Sequence, residues 1–145
     1  MRKKRRYRPP RIFEDNKESI KSSKNYFENV WDDDSKKVIQ KIIKDIVSVF
    51  EENKETIFLF YGSLLGCARN GQIIPWDGDV DFFIEYESCQ KSISDLKKIG
   101  YSICGKINQR IYLEDRLKNR RGWTWPWVDI YSYKQVKEDI LFMAN

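Results

Sequence analysis

Between Phe58 and Tyr86 the chain reads FLFYGSLLGCARNGQIIPWDGDVDFFIEY, placing Asp77, Asp79 and Asp81 at alternate positions a short way beyond a glycine–serine pair. Alternation is the period of a β-strand, whose successive side chains point to opposite faces. Val80, Phe82 and Ile84 interleave with the acids, so a strand here turns its apolar side chains into a core and gathers its carboxylates on the other face. Asp79 and Asp81 then point the same way, roughly 6–7 Å apart at Cα. Carboxylates at that separation repel one another and resist desolvation unless a hard cation such as Mg2+ or Mn2+ compensates them. The pattern is that of a metal-dependent phosphate-transfer site.

The rest of the chain narrows the possibilities. Its 145 residues suit one domain. A content of 41% hydrophobic residues supports a core, and 34% charged residues imply a heavily solvated surface with an unpacked segment. Histidine is absent, which excludes Ser-His-Asp and Cys-His nucleophilic sites and HExxH zinc sites and leaves the chemistry to carboxylates. Cys67, Cys89 and Cys104 are odd in number and lack CxxC spacing, so neither a disulfide scaffold nor a structural zinc site is expected. No run approaches the roughly 18 apolar residues of a transmembrane segment, and the basic start leads into Arg8-Pro9-Pro10-Arg11 rather than a signal-peptide core. A cytoplasmic location is the expectation.

Residues 1–30 read as a basic, mobile tail. Met1 to Arg11 holds seven basic residues and no acid, more than the whole net charge of +5. The remainder, residues 31–145, is therefore near neutral or slightly acidic and is not a nucleic-acid platform; nucleic acid, anionic lipid or an import receptor would act through the tail alone. Asp32 to Asp34 with Ser35 predict a helix start, followed by apolar residues at helical spacing from Val38 to Phe50. Thr56 to Tyr61 predicts a strand buried on both faces, ended by Gly62, and Ser63 a cap for a short helix through Asn70. The acidic strand follows, then an amphipathic helix capped by Ser88 or Ser92 and stopped by Gly100. Strands are predicted over Tyr101–Ile107, Gln109–Leu113 and Trp125–Tyr133, the last carrying Asp129. This order is mixed α/β (α+β) in a single domain.

The order of apolar strand, Gly62-Ser63, Asp79-Val80-Asp81-Phe82 and a distant Asp129 resembles the nucleotidyltransferase fold of the DNA polymerase beta type, a mixed β-sheet flanked by helices. The longer segment YGSLLGCARNGQIIPWDGDVDF is similar to the signature of LicD-like and fukutin-related proteins, whose usual form is close to YGTLLGAVRxxGxIPWDDDIDI. Tyr61, Gly62, Leu64, Leu65, Gly66, Arg69, Gly71, Ile74, Pro75, Trp76, Asp77, Asp79 and Asp81 coincide. Gly78 stands where the family often has a further acid, and the domain is expected to be a minimal or C-terminally short version.

The resemblance implies a transferase that moves a phosphorylated alcohol, of phosphocholine or polyol phosphate type, from a CDP-activated donor to a sugar hydroxyl of a glycan. Asp79, Asp81 and Asp129 are then the catalytic and metal-binding set, holding Mg2+ or Mn2+ against the donor diphosphate, with Asp129 also a candidate proton acceptor from the attacking hydroxyl. Asp77 binds a second ion or ends the turn. Gly62 and Ser63 are candidate diphosphate contacts at a helix start, or a simple cap. Arg69 neutralises a phosphate, snorkels to solvent or pairs with Asp77. Trp76, Trp123, Trp125 and Trp127 read as packing, and Arg116, Lys118, Arg120 and Arg121 as a solvated basic loop.

Several rivals share parts of this pattern. An EF-hand loop starting at Asp77 fails, because its sixth position is Phe82 instead of glycine and its twelfth is Ser88 instead of glutamate. A sugar-nucleotide glycosyltransferase with a DxD site lacks the preceding Gly-Ser element at this spacing. A nucleotidyltransferase transferring an NMP group would use the same ligands. A catalytically degenerate binding module would act through the basic tail.

Overall fold

The computed structural model describes residues 29–113 and 125–143. The basic tail up to residue 28, the basic loop from Arg116 to Arg121 and Trp123 lie outside the described residues. The packed part begins slightly before the boundary drawn from sequence, since the Val30 N–H donates to the Pro75 carbonyl at 2.9 Å and Trp31 is buried.

Helix α1, Asp33–Asn53, starts at a reciprocal cap. The Asp32 carboxylate accepts from the Ser35 N–H at 2.8 Å, and the Ser35 hydroxyl accepts from the Asp32 N–H at 3.0 Å. Ile39, Ile42, Ile46, Val49 and Phe50 recur on one face and are buried. Strand β1, Ile57–Leu59, departs from expectation. Among the described residues it is a three-residue edge strand paired only with β2, and Phe58 is 48% exposed. A continuous apolar run does not reveal how many of its faces will be covered, and here only one is.

Helix α2, Tyr61–Asn70, begins two residues before Ser63, with Phe60 at the N-cap and no side-chain cap. Ser63 is turned inward instead of capping, and Gly62 lies inside the helix instead of ending the strand. Strand β2 is Val80–Glu85 and helix α3 is Gln90–Lys98. Neither predicted serine caps α3. Its N-cap is Cys89, the Ser88 hydroxyl is bonded to the Glu85 carboxylate, and Ser92 is buried with its N–H donating to Glu55. Gly100, at φ 102°, turns the chain into β3, Tyr101–Cys104, and Gly105, at φ 96°, ends that strand before the predicted Ile107. A Cβ on Gly105 would lie 2.1 Å from the Asn108 carbonyl oxygen, so the turn into β4, Gln109–Leu113, admits no side chain there. Strand β5, Val128–Val136, lies three residues later than predicted and is followed by β6, Asp139–Met143, which the sequence reading did not include.

The six strands among the described residues form one mixed sheet in the order β1-β2-β5-β4-β3, with β6 also paired to β5. Strands β2 and β5 are parallel and the other pairs antiparallel. Val80, Phe82 and Ile84 of β2 and Val128 and Ile130 of β5 face one side, where they join the buried residues of α1 and α3 in a single core. The alternate residues, Asp81 and Phe83 in β2 and Asp129, Tyr131 and Tyr133 in β5, face the other side. There Phe60, Phe83, Tyr131 and Phe142 form an aromatic cluster beside the acids. The α/β expectation of helices against a mixed sheet in one domain holds. No helix among the described residues is long and apolar enough to cross a membrane.

Candidate metal centre

The parallel pairing of β2 with β5 sets Asp81 directly against Asp129. Asp79 lies just before β2, so it joins them from the loop. One carboxylate oxygen from each of Asp79, Asp81 and Asp129 lies within 4.8 Å of the others. Three anionic ligands converging from a strand, its neighbour and the preceding loop fit the oxygen-donor preference of Mg2+ or Mn2+.

Electrostatics show how strained this group is when only protons can neutralise it. Burial, with the charges of Asp79, Asp77 and Asp129, pushes Asp81 from 3.8 up to about 7. Burial, the charges of Asp77 and Asp129 and a hydrogen bond to Asp77 push Asp79 up to about 6. Tyr131, also desolvated and facing the acids, rises to about 12. These shifts have the direction produced by mutual repulsion in a partly dry site, the condition a divalent cation relieves.

The loop carrying the acids is fixed by two tryptophans. The Trp31 indole N–H donates to the Asp77 carbonyl at 2.6 Å, the Trp125 indole N–H donates to the Gly78 carbonyl, and the two rings pack with centroids 4.6 Å apart. Both are packing residues, as expected of Trp125, yet they brace the backbone between Asp77 and Asp79. Trp76, by contrast, is partly exposed.

The other predicted positions fall around this centre in distinct ways. Ser63 is buried, and its hydroxyl accepts the Asp81 N–H at 2.8 Å. It thus holds the acidic strand against the first turn of α2. Gly62 meets the Asp77 carboxylate so closely that an added Cβ would lie 2.0 Å from Oδ2. Asp77 therefore places its charge beside the amino end of α2, where an anion is favoured. Arg69 is exposed in the last turn of α2, and forms no ion pair with Asp77 or another described residue.

Sequence reasoning missed Arg110. Its Nε and Nη2 donate to the two oxygens of Asp129, each at 2.7 Å, and its guanidinium lies over Trp127 at 4.3 Å from the ring centroid. Nothing in the sequence around Gln109–Leu113 marks this arginine. Only the pairing of β4 with β5 brings Arg110 opposite Asp129.

A helix-backed mixed sheet with a three-carboxylate centre on its opposite face is the class of domain these residues build. The chain belongs to the family described as LicD/FKTN/FKRP, nucleotidyltransferase domain, whose model matches residues 54–143. It is 43% identical over 51 residues to the ribitol 5-phosphate transferases FKRP of Homo sapiens and Mus musculus, a match covering 35% of this chain and 10% of each relative. It is 27% identical over 93 residues to the uncharacterized protein RP689 of Rickettsia prowazekii (strain Madrid E), covering 57% of this chain and 35% of that protein. The chain thus spans about a tenth of the length of the ribitol 5-phosphate transferases it matches.

Proposed function

We propose that this protein is a metal-dependent transferase that moves a phosphorylated alcohol from a CDP-activated donor to a sugar hydroxyl of a glycan. The observation that carries the reading is the convergence of Asp79, Asp81 and Asp129 to within 4.8 Å on one face of the sheet. Family membership supports a transferase reading, and the similarity to ribitol 5-phosphate transferases favours a polyol phosphate over other alcohols. Asp79, Asp81 and Asp129 would hold Mg2+ or Mn2+, which when bound offsets charge on the donor diphosphate and on the departing phosphate. Ser63 keeps Asp81 in register, and the paired tryptophans keep Asp79 at the mouth of the strand. Asp129, whose two oxygens each accept one bond from Arg110 and each keep a second lone pair, would take the proton from the acceptor hydroxyl.

The test is thermal unfolding with Mg2+ or Mn2+ against CDP-ribitol, CDP-glycerol, CDP-choline, UDP-sugars, ATP and CTP, run beside Asp79→Asn. A cation-dependent stabilisation by a CDP-alcohol that vanishes in the variant supports the reading. No cation-dependent shift with any nucleotide refutes it. Product analysis then separates alcohol-phosphate transfer, which releases CMP, from NMP transfer, which releases pyrophosphate.

A further inference from the structure

The pairing registers align Asp81 with Asp129, Asp129 with Arg110 and Arg110 with Cys104, so a single row crosses four strands on the acidic face. One end of the row is anionic and the other begins at a guanidinium. Beyond Arg110 lies a hollow of about 340 Å³, lined by Cys104, Gly105, Asn108, Arg110, Asp129 and Tyr131 among others. That volume falls at the small end of ligand pockets.

Arg110 is placed to serve either end of this row. Its bonds to Asp129 use two of the five N–H groups of the fork. The flat face of the group rests on Trp127, which fixes its plane without consuming an N–H. The side chain is 44% exposed although its partner Asp129 is only 14% exposed, so the guanidinium reaches solvent where the carboxylate does not. A cation shared by Asp79, Asp81 and Asp129 would bind an oxygen of Asp129 that already accepts from the guanidinium; that oxygen keeps a second lone pair, but two positive groups on one carboxylate repel each other. The geometry that matches a carboxylate bidentately also matches two oxygens of a phosphate.

We propose that Arg110 is a ligand-binding residue that changes partner, bracing Asp129 while the acids hold no cation and turning to the phosphate oxygens of a nucleotide ligand once they do. The inference rests on the phosphate-transfer reading of the same site. While bracing, Arg110 offsets part of the repulsion among the acids. After the exchange it contributes to phosphate binding from the side opposite Asp79. Cation and nucleotide binding thereby become coupled through one side chain, since each event releases what the other needs.

The test measures two affinities in Arg110→Gln and Arg110→Lys: Mn2+ alone, followed by electron paramagnetic resonance of the free ion, and CDP at saturating Mn2+, followed by calorimetry. Removing the competing charge in Arg110→Gln is expected to tighten Mn2+ by ~10-fold and to weaken CDP by ~10-fold, the scale of a charge-assisted bidentate contact. Arg110→Lys keeps the charge and loses the fork, so its Mn2+ affinity stays near that of the natural protein while CDP still weakens. A merely structural brace would weaken both ligands together, and that result overturns the inference. Unchanged CDP affinity in Arg110→Gln overturns it as well. If the natural protein binds Mn2+ but no CDP, the functional reading falls and takes the phosphate exchange with it. Normal CDP binding with an Mn2+ affinity that Arg110→Gln leaves unaltered removes this inference alone.

Discussion

Asp81 is 7% exposed and surrounded by Asp79, Asp77 and Asp129, so its charge is held in place against both desolvation and repulsion. Replacing Asp79 or Asp81 by Asn removes one repelling charge. Each variant is expected to raise the stability of the metal-free protein by on the order of 1 kcal/mol, about one pKa unit of interaction, while abolishing stabilisation by Mn2+; urea unfolding with and without the ion measures both. The same charges set a pH dependence. Asp79 at about 6 and Asp81 at about 7 lie above their ordinary value of 3.8, so between about pH 4 and 7 the folded chain binds protons that the unfolded chain has released. The metal-free protein should therefore lose stability as the pH rises through that window and change little from these groups above it. Saturating Mn2+ should stabilise more at pH 8 than at pH 5.5, because at the lower pH it must displace protons. Melting temperatures across pH 5 to 8 with and without the ion check both directions.

At the scale of elements, the site depends on how α2 meets β2. Ser63→Ala deprives the Asp81 N–H of its acceptor at a buried position and is expected to cost about 1–3 kcal/mol. Its Mn2+ affinity, read by titration of the still-folded protein, should fall as the strand loosens. Gly62→Ala introduces a methyl 2.0 Å from the Asp77 carboxylate, so that side chain must move away from the helix. Because that atom is the free end of a flexible side chain and alanine suits the helix better than glycine, stability should change by less than about 1 kcal/mol in denaturant unfolding. The Gly-Ser pair was legible in the sequence as part of the site, but its mechanics were not. Read along the chain, Ser63 is a helix cap; only the fold reveals that Phe60 takes that place and that the serine faces a strand 18 residues away. Helix α1 was readable almost to the residue, because its cap, its acidic first turn and its apolar stripe all act within a few residues of one another.

For the molecule as a whole, stability and site reside on opposite faces of one sheet. Phe50 is fully buried in the shared core of α1, α3 and the sheet. Phe50→Ala should cost about 3–5 kcal/mol through the cavity it leaves. Because the core lies across the sheet from the acids, the fraction that remains folded should retain a normal Mn2+ affinity, which a calorimetric titration below the melting temperature would show. The outcome contrasts with Asp79→Asn, where affinity is lost and stability is not. The open face also carries partly or largely exposed aromatics, Phe58 and Phe142 at 48% each and Tyr61 at 55%.

By itself the sequence determined that the acids Asp79 and Asp81 would lead into an apolar strand, because alternation and mutual repulsion are properties of neighbours along the chain; that Asp79 stays in the loop before β2 and that Gly62-Ser63 lie inside α2 it did not determine. It also named Asp129 as a third acid within an apolar strand. Tertiary structure decided which strand lies next to which and in what register. Parallel pairing of β2 with β5 turned a distant Asp129 into the direct partner of Asp81, and antiparallel pairing of β4 with β5 brought in Arg110. Strand β6 and the one-sided burial of β1 were decided at the same level. Register and face coverage are contacts between segments far apart in sequence, and a slip of one residue would have sent every one of these side chains to the other face.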